Sequence, residues 1–388
     1  MAEAQDRRGA LHLSSMITVT IDSPRPDLGP DWDDLLARAE PNVFMNPAAL
    51  LAAVATGFAA IRVLLAWDEG GGGRKLVGIW ALRLRQFAPL WPAVLDALPF
   101  NYAFVSSPVV DPAYADAVIA AFFAAIERSA LPKILNLPSL DAEGPVFAAM
   151  LMSLARRGTE PLVLSKHSRP YVTRESGVKR TGSTRKKLRQ DWNRLSALGT
   201  VEIVNDRTPA GVQQAFEAFL ALEKASWKGE RGTALLSQET DAAFVRRLIH
   251  DLAGRQAASV AELRVNGEVV AAQVLMYCAG TAYTWKTAFD AAYGRYSPGA
   301  LLVDKITDEL LASPDIKAVN SCAAESSFMG QLWSGRRAMA DVLIDIGPGK
   351  SLGYRIEALR LTGYQRLRDL RDRLRHRQAP PSKPKKAA

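Results

Sequence analysis

The chain has 388 residues, of which 48% are hydrophobic and 23% charged, so extensive disorder is excluded and two domains, or three small ones, are expected. Two cysteines and four histidines exclude a disulfide framework, and no metal site is expected. The sequence has neither an apolar run of membrane-spanning length nor the apolar core of a signal peptide, which predicts a cytoplasmic protein.

The net charge of +9 is concentrated in two short segments. Residues 174–194 have a net charge of +6 and residues 364–388 one of +7, which leaves a net charge of −4 on the rest of the chain. Because the body is mildly acidic, nucleic acid is not expected as a partner, and the basicity belongs to one helix and to the C-terminal end.

In chain order, the first half alternates apolar strands with amphipathic helices. An alternating β-branched run predicts a strand at 16–21. Asn46-Pro47 and Asp111-Pro112 predict helix starts, because each places a capping side chain directly before a proline. The other predicted elements are a helix over 31–39, a hairpin of 61–67 and 75–84, strands over 134–137 and 162–164, and a helix over 145–157.

The second half follows a polar linker at 176–183 and repeats this order. Its clearest local signal is Asn266-Gly267 between two alternating runs, which predicts a β-hairpin. The other predicted elements are helices over 185–198, 209–226, 241–252 and 300–311, and strands over 201–204, 282–286, 318–321 and 338–346.

The repeated order predicts two tandem α/β units. The two hairpins lie roughly 195 residues apart, and each half then has a strand, a Ser-Pro dipeptide and a long helix. We therefore predict an N-terminal domain over 16–170 and a C-terminal domain over 184–350. Apolar residues at helical spacing predict a basic helix over 351–377, and the Pro- and Lys-rich segment 378–388 is predicted to be a disordered tail.

The loop after strand 282–286 is the first candidate binding site. It contains Arg295, Ser297 and Gly299 and leads into a helix, whose N-terminus attracts phosphate oxygens through unpaired amides and the helix dipole. Gly299 would let the backbone approach a ligand closely, and Arg295 would add a cation. The alternative interpretation is an ordinary turn between a strand and a helix.

Four blocks in this half resemble one family, the GNAT-type acetyltransferases associated with cellulose biosynthesis proteins, which is similar in turn to the Fem-type transferases with two tandem GNAT-like domains. The blocks are SWKGERGTAL (Ser226–Leu235), AAQVLMY (Ala271–Tyr277), WKTAFD (Trp285–Asp290) and YSPGALL (Tyr296–Leu302). The resemblance implies two tandem GNAT-like units in mixed α+β sheets. It covers 185–346 well and the first half only through its layout.

The resemblance also implies a reaction and a donor. It implies acetyl-CoA or another acyl-CoA as co-substrate and direct attack of an amine on the thioester. The residues implied to bind the acyl-CoA are Arg295, Ser297, Gly299, Ala300 and Leu301, although Pro298 stands where the family usually has glycine. Many GNAT enzymes have a tyrosine as general acid after the fifth strand, and residues 325–328 contain none.

Six further residues are candidates for chemistry or substrate binding. Glu223 and Asp290 are the candidate catalytic carboxylates, with a solvated helix carboxylate and a strand end as the alternatives. The two Trp-Lys dipeptides predict substrate contacts, with core tryptophans and surface lysines as the alternatives. They are Trp227, Lys228, Trp285 and Lys286.

Three functions fit these observations. The first is an N-acyltransferase that acts on a small-molecule or envelope-precursor amine, in polysaccharide or cell-envelope metabolism. The second is a Fem-like transferase that uses aminoacyl-tRNA, with the basic helix as its RNA contact. The third is a non-catalytic partner of polysaccharide machinery. The basic C-terminus adds the expectation of weak association with a membrane surface.

Overall fold

The strands join in one hydrogen-bonded sheet that runs through both halves of the chain. The computed structural model describes residues 17–70 and 73–378. The strands are β1 (Ile17–Asp22), β2 (Ile61–Asp68), β3 (Lys75–Arg85), β4 (Val94–Asp96), β5 (Val109–Val110), β6 (Ile134–Asp141), β7 (Leu162–Thr173), β8 (Val201–Val204), β9 (Ala258–Val265), β10 (Glu268–Cys278), β11 (Thr281–Phe289), β12 (Ala318–Asn320) and β13 (Arg336–Asp345).

The helices cover both faces of this sheet. They are α1 (Gly29–Leu36), α2 (Pro47–Ala55), α3 (Ala115–Arg128), α4 (Pro145–Arg156), α5 (Ser183–Ser196), α6 (Pro209–Ala225), α7 (Trp227–Glu230), α8 (Glu239–Ala253), α9 (Pro298–Ala312), α10 (Phe328–Leu332) and α11 (Leu352–Gln378). Each half has a strand, helices, a hairpin, a helix, a strand, a helix and a final strand in that order. The predicted mixed α/β class and the tandem layout are confirmed.

Several elements begin and turn as their sequence signals predict. The Asn46 side chain accepts the Ala48 amide at 2.9 Å and so caps α2. The β9–β10 hairpin turns at Asn266 and Gly267, whose φ angles of 52° and 84° are both positive, as a two-residue hairpin turn favours. The predicted hairpin is therefore confirmed.

The last strand returns to the first half of the sheet. The strand order is β1-β2-β3-β4-β6-β13-β7-β12-β11-β10-β9-β8, so β13 lies between β6 and β7. Strand β7 links the halves, because residues 162–170 pair with β13 and residues 171–173 pair with β12. Hydrogen bonds thus connect the segment predicted as 184–350 directly to the segment predicted as 16–170.

Two cores pack on the two faces of the second half. The larger core extends into the first half through aromatic contacts such as Phe58 stacked on Phe244, with ring centroids 4.2 Å apart. The smaller core lies under α5 and α9. The halves are therefore joined by a shared apolar core as well as by β7 and β13.

Helix α11 packs on the sheet through its first turns. Glu357 is fully buried and accepts a hydrogen bond from Arg85 at 2.7 Å, and Leu361 packs beside Tyr354. Farther along the helix, Tyr364 and Leu367 are 64% and 69% exposed. The predicted tail lies outside the described residues from 379 onward. No helix in the described part of the chain is long and apolar enough to cross a membrane.

Candidate active site

Strands β11 and β12 separate after a short parallel ladder, and this opens the sheet. They pair only from Thr281 to Tyr283, after which β11 continues to Phe289 beside β10 alone. The last link is the Thr284 hydroxyl, which donates to the Ser321 carbonyl at 2.9 Å. Directly beyond it, the β10–β11 register shifts and leaves Trp285 unpaired in a β-bulge. The opening and the bulge therefore coincide.

One face of the opening has a cleft of about 440 Å³ at the N-termini of α9 and α5. Lys187 lies in it, and its Nζ donates to the Ser297 hydroxyl at 2.7 Å and forms an ion pair with Asp191. Ser297 has a left-handed backbone with φ 52°, and it places its side chain at the first turn of α9. A lysine ammonium group beside a helix N-terminus is an arrangement that attracts phosphate.

The first turn of α9 offers fewer free amides than the sequence predicts. Pro298 has no N–H, and the amides of Ala300 and Leu301 donate to the Ser297 carbonyl at 3.0 and 3.1 Å. Ser297 and Ala300 line the cleft, whereas Leu301 is buried in the smaller core. The attraction for an anion at this end therefore depends on Lys187 and the helix dipole.

Gly299 and Arg295 lie differently from their predicted roles. A Cβ on Gly299 would meet Phe289 Cδ1 at 3.3 Å, so the glycine allows α9 to pack closely on β11. Arg295 is exposed, with its guanidinium 4.8 Å from the centre of the Tyr296 ring. Neither residue lines the cleft beside Lys187. The prediction that Gly299 contacts the ligand has no support in this geometry.

The other face of the opening carries a buried ionic cluster of Glu223, Lys228 and Lys286. Glu223 Oε1 lies 2.9 Å from Lys228 Nζ and 3.9 Å from Lys286 Nζ, and Oε2 accepts the Leu235 amide at 2.9 Å. Glu223 is only 1% exposed, so the alternative of a solvated helix carboxylate is wrong. The cluster brings together three of the predicted residues.

Burial changes the acid–base properties of Lys286. Its pKa is lowered mainly because burial disfavours the ammonium form, and the nearby Lys228 acts in the same direction, while Glu223 opposes the shift. The Lys286 Nζ also lies 4.6 Å from the centre of the Tyr102 ring. A lysine in this environment can give up its proton more easily than an exposed lysine and so can serve as a base.

Tyr102 and Asp241 complete this face, and the sequence did not indicate either. The Tyr102 hydroxyl donates to Asp241, and burial together with this bond raises the pKa of Tyr102. Trp285 Nε1 donates to the Tyr102 carbonyl at 2.8 Å. Tyr102 belongs to a loop of the first half that has no motif, so only the folded chain brings it to Lys286. The site is therefore built from both halves.

The remaining two candidates lie apart from this cluster. Trp227 is 54% exposed, and the Arg231 guanidinium lies 5.0 Å from the centre of its ring. Asp290 accepts the Ala292 amide at 2.8 Å and caps the turn Ala291–Tyr296. Within the described residues, no ion pair joins Asp290 to Lys286 or Arg295. Nor do any three His, Cys, Asp or Glu side chains of that part of the chain form a group able to hold a metal ion.

Comparison with known proteins identifies the class of fold. Residues 182–323 match the family model described as an acetyltransferase (GNAT) domain. A sequence search of curated proteins finds no match. The matched segment contains β11 and β12, together with Glu223, Lys286 and Ser297. Residues 182–323 are thus similar to a GNAT acetyltransferase domain.

Solved structures share the architecture of nearly the whole chain at low sequence identity. FemX aligns with a TM-score of 0.55 and 12% identity, over 81% of this chain and 95% of that chain. L-PGS from Bacillus licheniformis aligns with a TM-score of 0.53 and 14% identity, over 88% of this chain and 98% of that chain. A protein of unknown function from Bacteroides thetaiotaomicron aligns with a TM-score of 0.50 and 12% identity, over 84% of this chain and all of that chain. These similarities establish the fold.

Proposed function

We propose that the protein is an N-acyltransferase that transfers an acetyl or other acyl group from acyl-CoA to an amine. The observation that carries the proposal is the opening between β11 and β12, which has Lys187 and Ser297 on one face and Lys286 on the other. An elongated donor can bind with its phosphates on the first face and its thioester in the opening. The acceptor amine then approaches from the second face.

On the donor face, Lys187 supplies the positive charge. Its ammonium contacts both the Ser297 hydroxyl and Asp191, so it lies at the first turn of α9 before any donor binds. A donor phosphate would take the place of the Ser297 contact and would gain the favourable field of the helix N-terminus. We assign the phosphate contacts to Lys187 and Ser297, and Ala300 lines the cleft beside them.

On the acceptor face, we propose that Lys286 is the base. An amine is nucleophilic only without its proton, and a buried lysine with a lowered pKa can accept that proton. Glu223 already accepts from Lys228 and from the Leu235 amide, so its role is to hold the two lysines in place. Attack of the amine on the thioester carbonyl then forms the C–N bond, breaks the C–S bond and expels the CoA thiolate, which the proton taken up by Lys286 converts to the thiol.

Calorimetric titration with acetyl-CoA and longer acyl-CoAs tests the donor site. Lys187→Met should weaken binding about tenfold or more, as loss of a charge-assisted contact does. Lys186→Met is the matched control, because Lys186 is exposed on the same helix and does not line the cleft. Equal affinities in the wild type and both variants would place the phosphates elsewhere.

A second candidate is aminoacyl transfer from a charged tRNA. It is favoured by the exposed basic side chains of α5, among them Lys186, Arg189 and Arg194, beside the donor cleft. It is also compatible with the fold shared with FemX. An aminoacylated tRNA that binds in competition with acetyl-CoA, and that supports product formation when acetyl-CoA does not, would favour this function over the first.

The cellular setting is a further part of the proposal. We propose a cytoplasmic enzyme whose acceptor is a small molecule or an envelope precursor, with weak attraction of the basic C-terminus to membrane surfaces, and we retain cellulose or other polysaccharide metabolism as the context. A protein that binds acyl-CoA but acylates no amine would instead fit a non-catalytic partner of polysaccharide machinery.

A further inference from the structure

A second large cleft, of about 820 Å³, lies beyond the end of β12. Its lining comes from both halves of the chain and includes Phe104, Arg169 and Cys322. Cys322 follows β12 by two residues, so the cleft begins where β11 and β12 have separated. It is distinct from the cleft beside Lys187, which has no lining residue in common with it.

The floor of this cleft contains a buried arginine without a carboxylate partner. Arg169 is 4% exposed, and its Nη1 donates to the Phe104 carbonyl at 2.8 Å. Its Nε and Nη2 have no hydrogen-bond partner in the described residues, and the side chain lines the open cleft. No Asp or Glu oxygen of the described chain lies within 4 Å of it. A buried cation of this kind is costly unless an anion binds to it.

The two acids that line the cleft are already engaged. The Asp341 carboxylate accepts the Ser139 amide at 2.8 Å and the Ser165 hydroxyl at 2.7 Å. Glu325 accepts Arg336 Nε at 3.2 Å. Neither acid forms an ion pair with Arg169, and Asp341 favours the charged guanidinium only from a distance.

The rim adds further positive charge. Lys166 and Arg368 are exposed at the edge of the cleft. A negatively charged group that enters the cleft thus meets cations at the rim and a guanidinium with two free donors at the floor. A guanidinium fits the paired oxygens of a carboxylate or a phosphate.

A short segment connects Arg169 to the acceptor face of the active site. The Tyr102 carbonyl accepts from Trp285 and the Phe104 carbonyl accepts from Arg169, each at 2.8 Å. Two residues of chain span at most about 7 Å. The anion site at Arg169 and the acceptor face at Lys286 therefore contact the same short loop of the first half, residues 102–104.

We propose that this cleft binds an anionic oxyacid group of the amine acceptor, a carboxylate or a phosphate, with Arg169 as the residue that selects it. This inference deepens the proposed function and rests on it, because it makes the acceptor an amine with a negatively charged group a few bonds away. Arg169 acts by binding the acceptor and takes no part in proton transfer.

Binding of matched amines to the full-length protein tests the inference without relying on turnover. The probes are 6-aminohexanoate against hexylamine, and 2-aminoethyl phosphate against ethanolamine, measured by thermal shift. All four probes carry an ammonium group at neutral pH. In at least one pair, the member that also carries the carboxylate or phosphate should raise the Tm, whereas its partner without that group should not. A response to the first pair alone assigns a carboxylate, and a response to the second pair alone assigns a phosphate. The absence of a difference in both pairs would overturn the inference.

Variants identify the residue responsible. Arg169→Met should abolish the shift while leaving the Tm unchanged or higher, because it removes an unpaired buried charge. Lys187→Met should keep the shift. A shift that persists in Arg169→Met would overturn the inference. If Arg169→Met does not fold, Arg169→Lys, which keeps the charge but loses the forked donors, should lower the affinity about tenfold, and an unchanged affinity would overturn the inference equally.

Acetyl-CoA titration of the same samples separates the two proposals. Anionic amines that bind through Arg169 in a protein that does not bind acyl-CoA would contradict the donor assignment and leave the anion site intact. Normal acyl-CoA binding without any preference for amines that carry an anionic group would contradict the anion site and leave the donor assignment intact.

Discussion

At the scale of single residues, the ionic cluster explains how a carboxylate occupies an apolar helix face. Glu223 follows Phe216, Phe219 and Leu220 on the buried side of α6. Its charge is tolerated there because Lys228 and the Leu235 amide each contact one of its oxygens. Glu223 therefore has two roles. It is part of the packed face of α6, and its carboxylate holds Lys286 near Tyr102.

The first prediction concerns the pH dependence set by Lys286. Because burial lowers its pKa below 10.5, the fraction of neutral Lys286 rises with pH through the lowered value, and the acyltransfer rate should rise with it. In the unfolded chain the lysine keeps its proton to higher pH, so the free energy of unfolding should also rise between the two pKa values. Urea unfolding and initial rates across about pH 7–11 measure both effects.

Lys286→Met should remove the rise with pH in both the acyltransfer rate and the free energy of unfolding. Lys224→Met, which changes an exposed lysine on α6, should remove neither. Identical pH profiles in the wild type and Lys286→Met would show that another group is the base.

The second prediction is that Glu223→Gln destabilises the fold. The amide can still accept the Leu235 N–H, but two neighbouring lysines lose their counter-ion. Breaking a buried pair costs about 3–5 kcal/mol, and the partial exposure of Lys228 points to the lower end of this range. Glu217→Gln on the same helix is the control, since Glu217 is half exposed in its pair with Arg246 and should cost less than about 1 kcal/mol. Similar losses in both variants by urea unfolding would contradict a special role for the cluster.

At the scale of elements, the contact between α9 and β11 decides the shape of the donor face. Gly299 is buried against Phe289 and Thr287, so the helix approaches the strand as closely as its backbone allows. This close packing brings the first turn of α9, with Ser297, to the edge of the opening. Gly299 thus positions the helix, and its predicted contact with a ligand stays a prediction.

The third prediction follows from this packing. Gly299→Val should lower the free energy of unfolding by about 1–3 kcal/mol, because its methyl groups would overpack the space beside Phe289. Gly294→Val is the matched control, since a Cβ there meets its nearest neighbour at 3.9 Å, an ordinary contact distance. If Gly299→Val kept its stability and lost only acyl-CoA binding, the glycine would face the ligand after all.

The sequence predicted an element correctly where the residues that determine it lie within a few positions of one another. Asn46-Pro47 and Asn266-Gly267 act through caps and turns within a few residues, and both occur as expected. Strand β7 was predicted to end at Leu164, yet it continues to Thr173. Its polar second part carries no apolar alternation, because its pairing depends on β13, which comes from more than 160 residues later in the chain. Tyr102 and Arg169 escaped detection for the same reason.

At the scale of the whole molecule, β13 makes the two halves one folding unit. It forms ladders with β6 on one side and β7 on the other, and its Leu343 is fully buried. The acceptor face depends on the same union, because Tyr102 comes from the first half and Lys286 from the second. We therefore expect unfolding in a single transition, although the order of elements is that of two tandem units.

The last prediction tests this dependence by shortening the chain from its C-terminus. A chain that ends at residue 378 keeps α11 and should match the full-length protein in Tm and acyltransfer rate. A chain that ends at residue 348 loses Glu357 and leaves Arg85 with one carboxylate fewer, so its Tm should fall while the sheet persists. A chain that ends at residue 335 loses β13 and leaves β6 and β7 unpaired along most of their facing edges, and it should not fold cooperatively. Circular dichroism and tryptophan fluorescence during heating measure all three. Because β13 forms ladders with both β6 and β7, a cooperative transition in the shortest chain would mean that the rest of the sheet forms without this strand and that β13 does not make the two halves one folding unit.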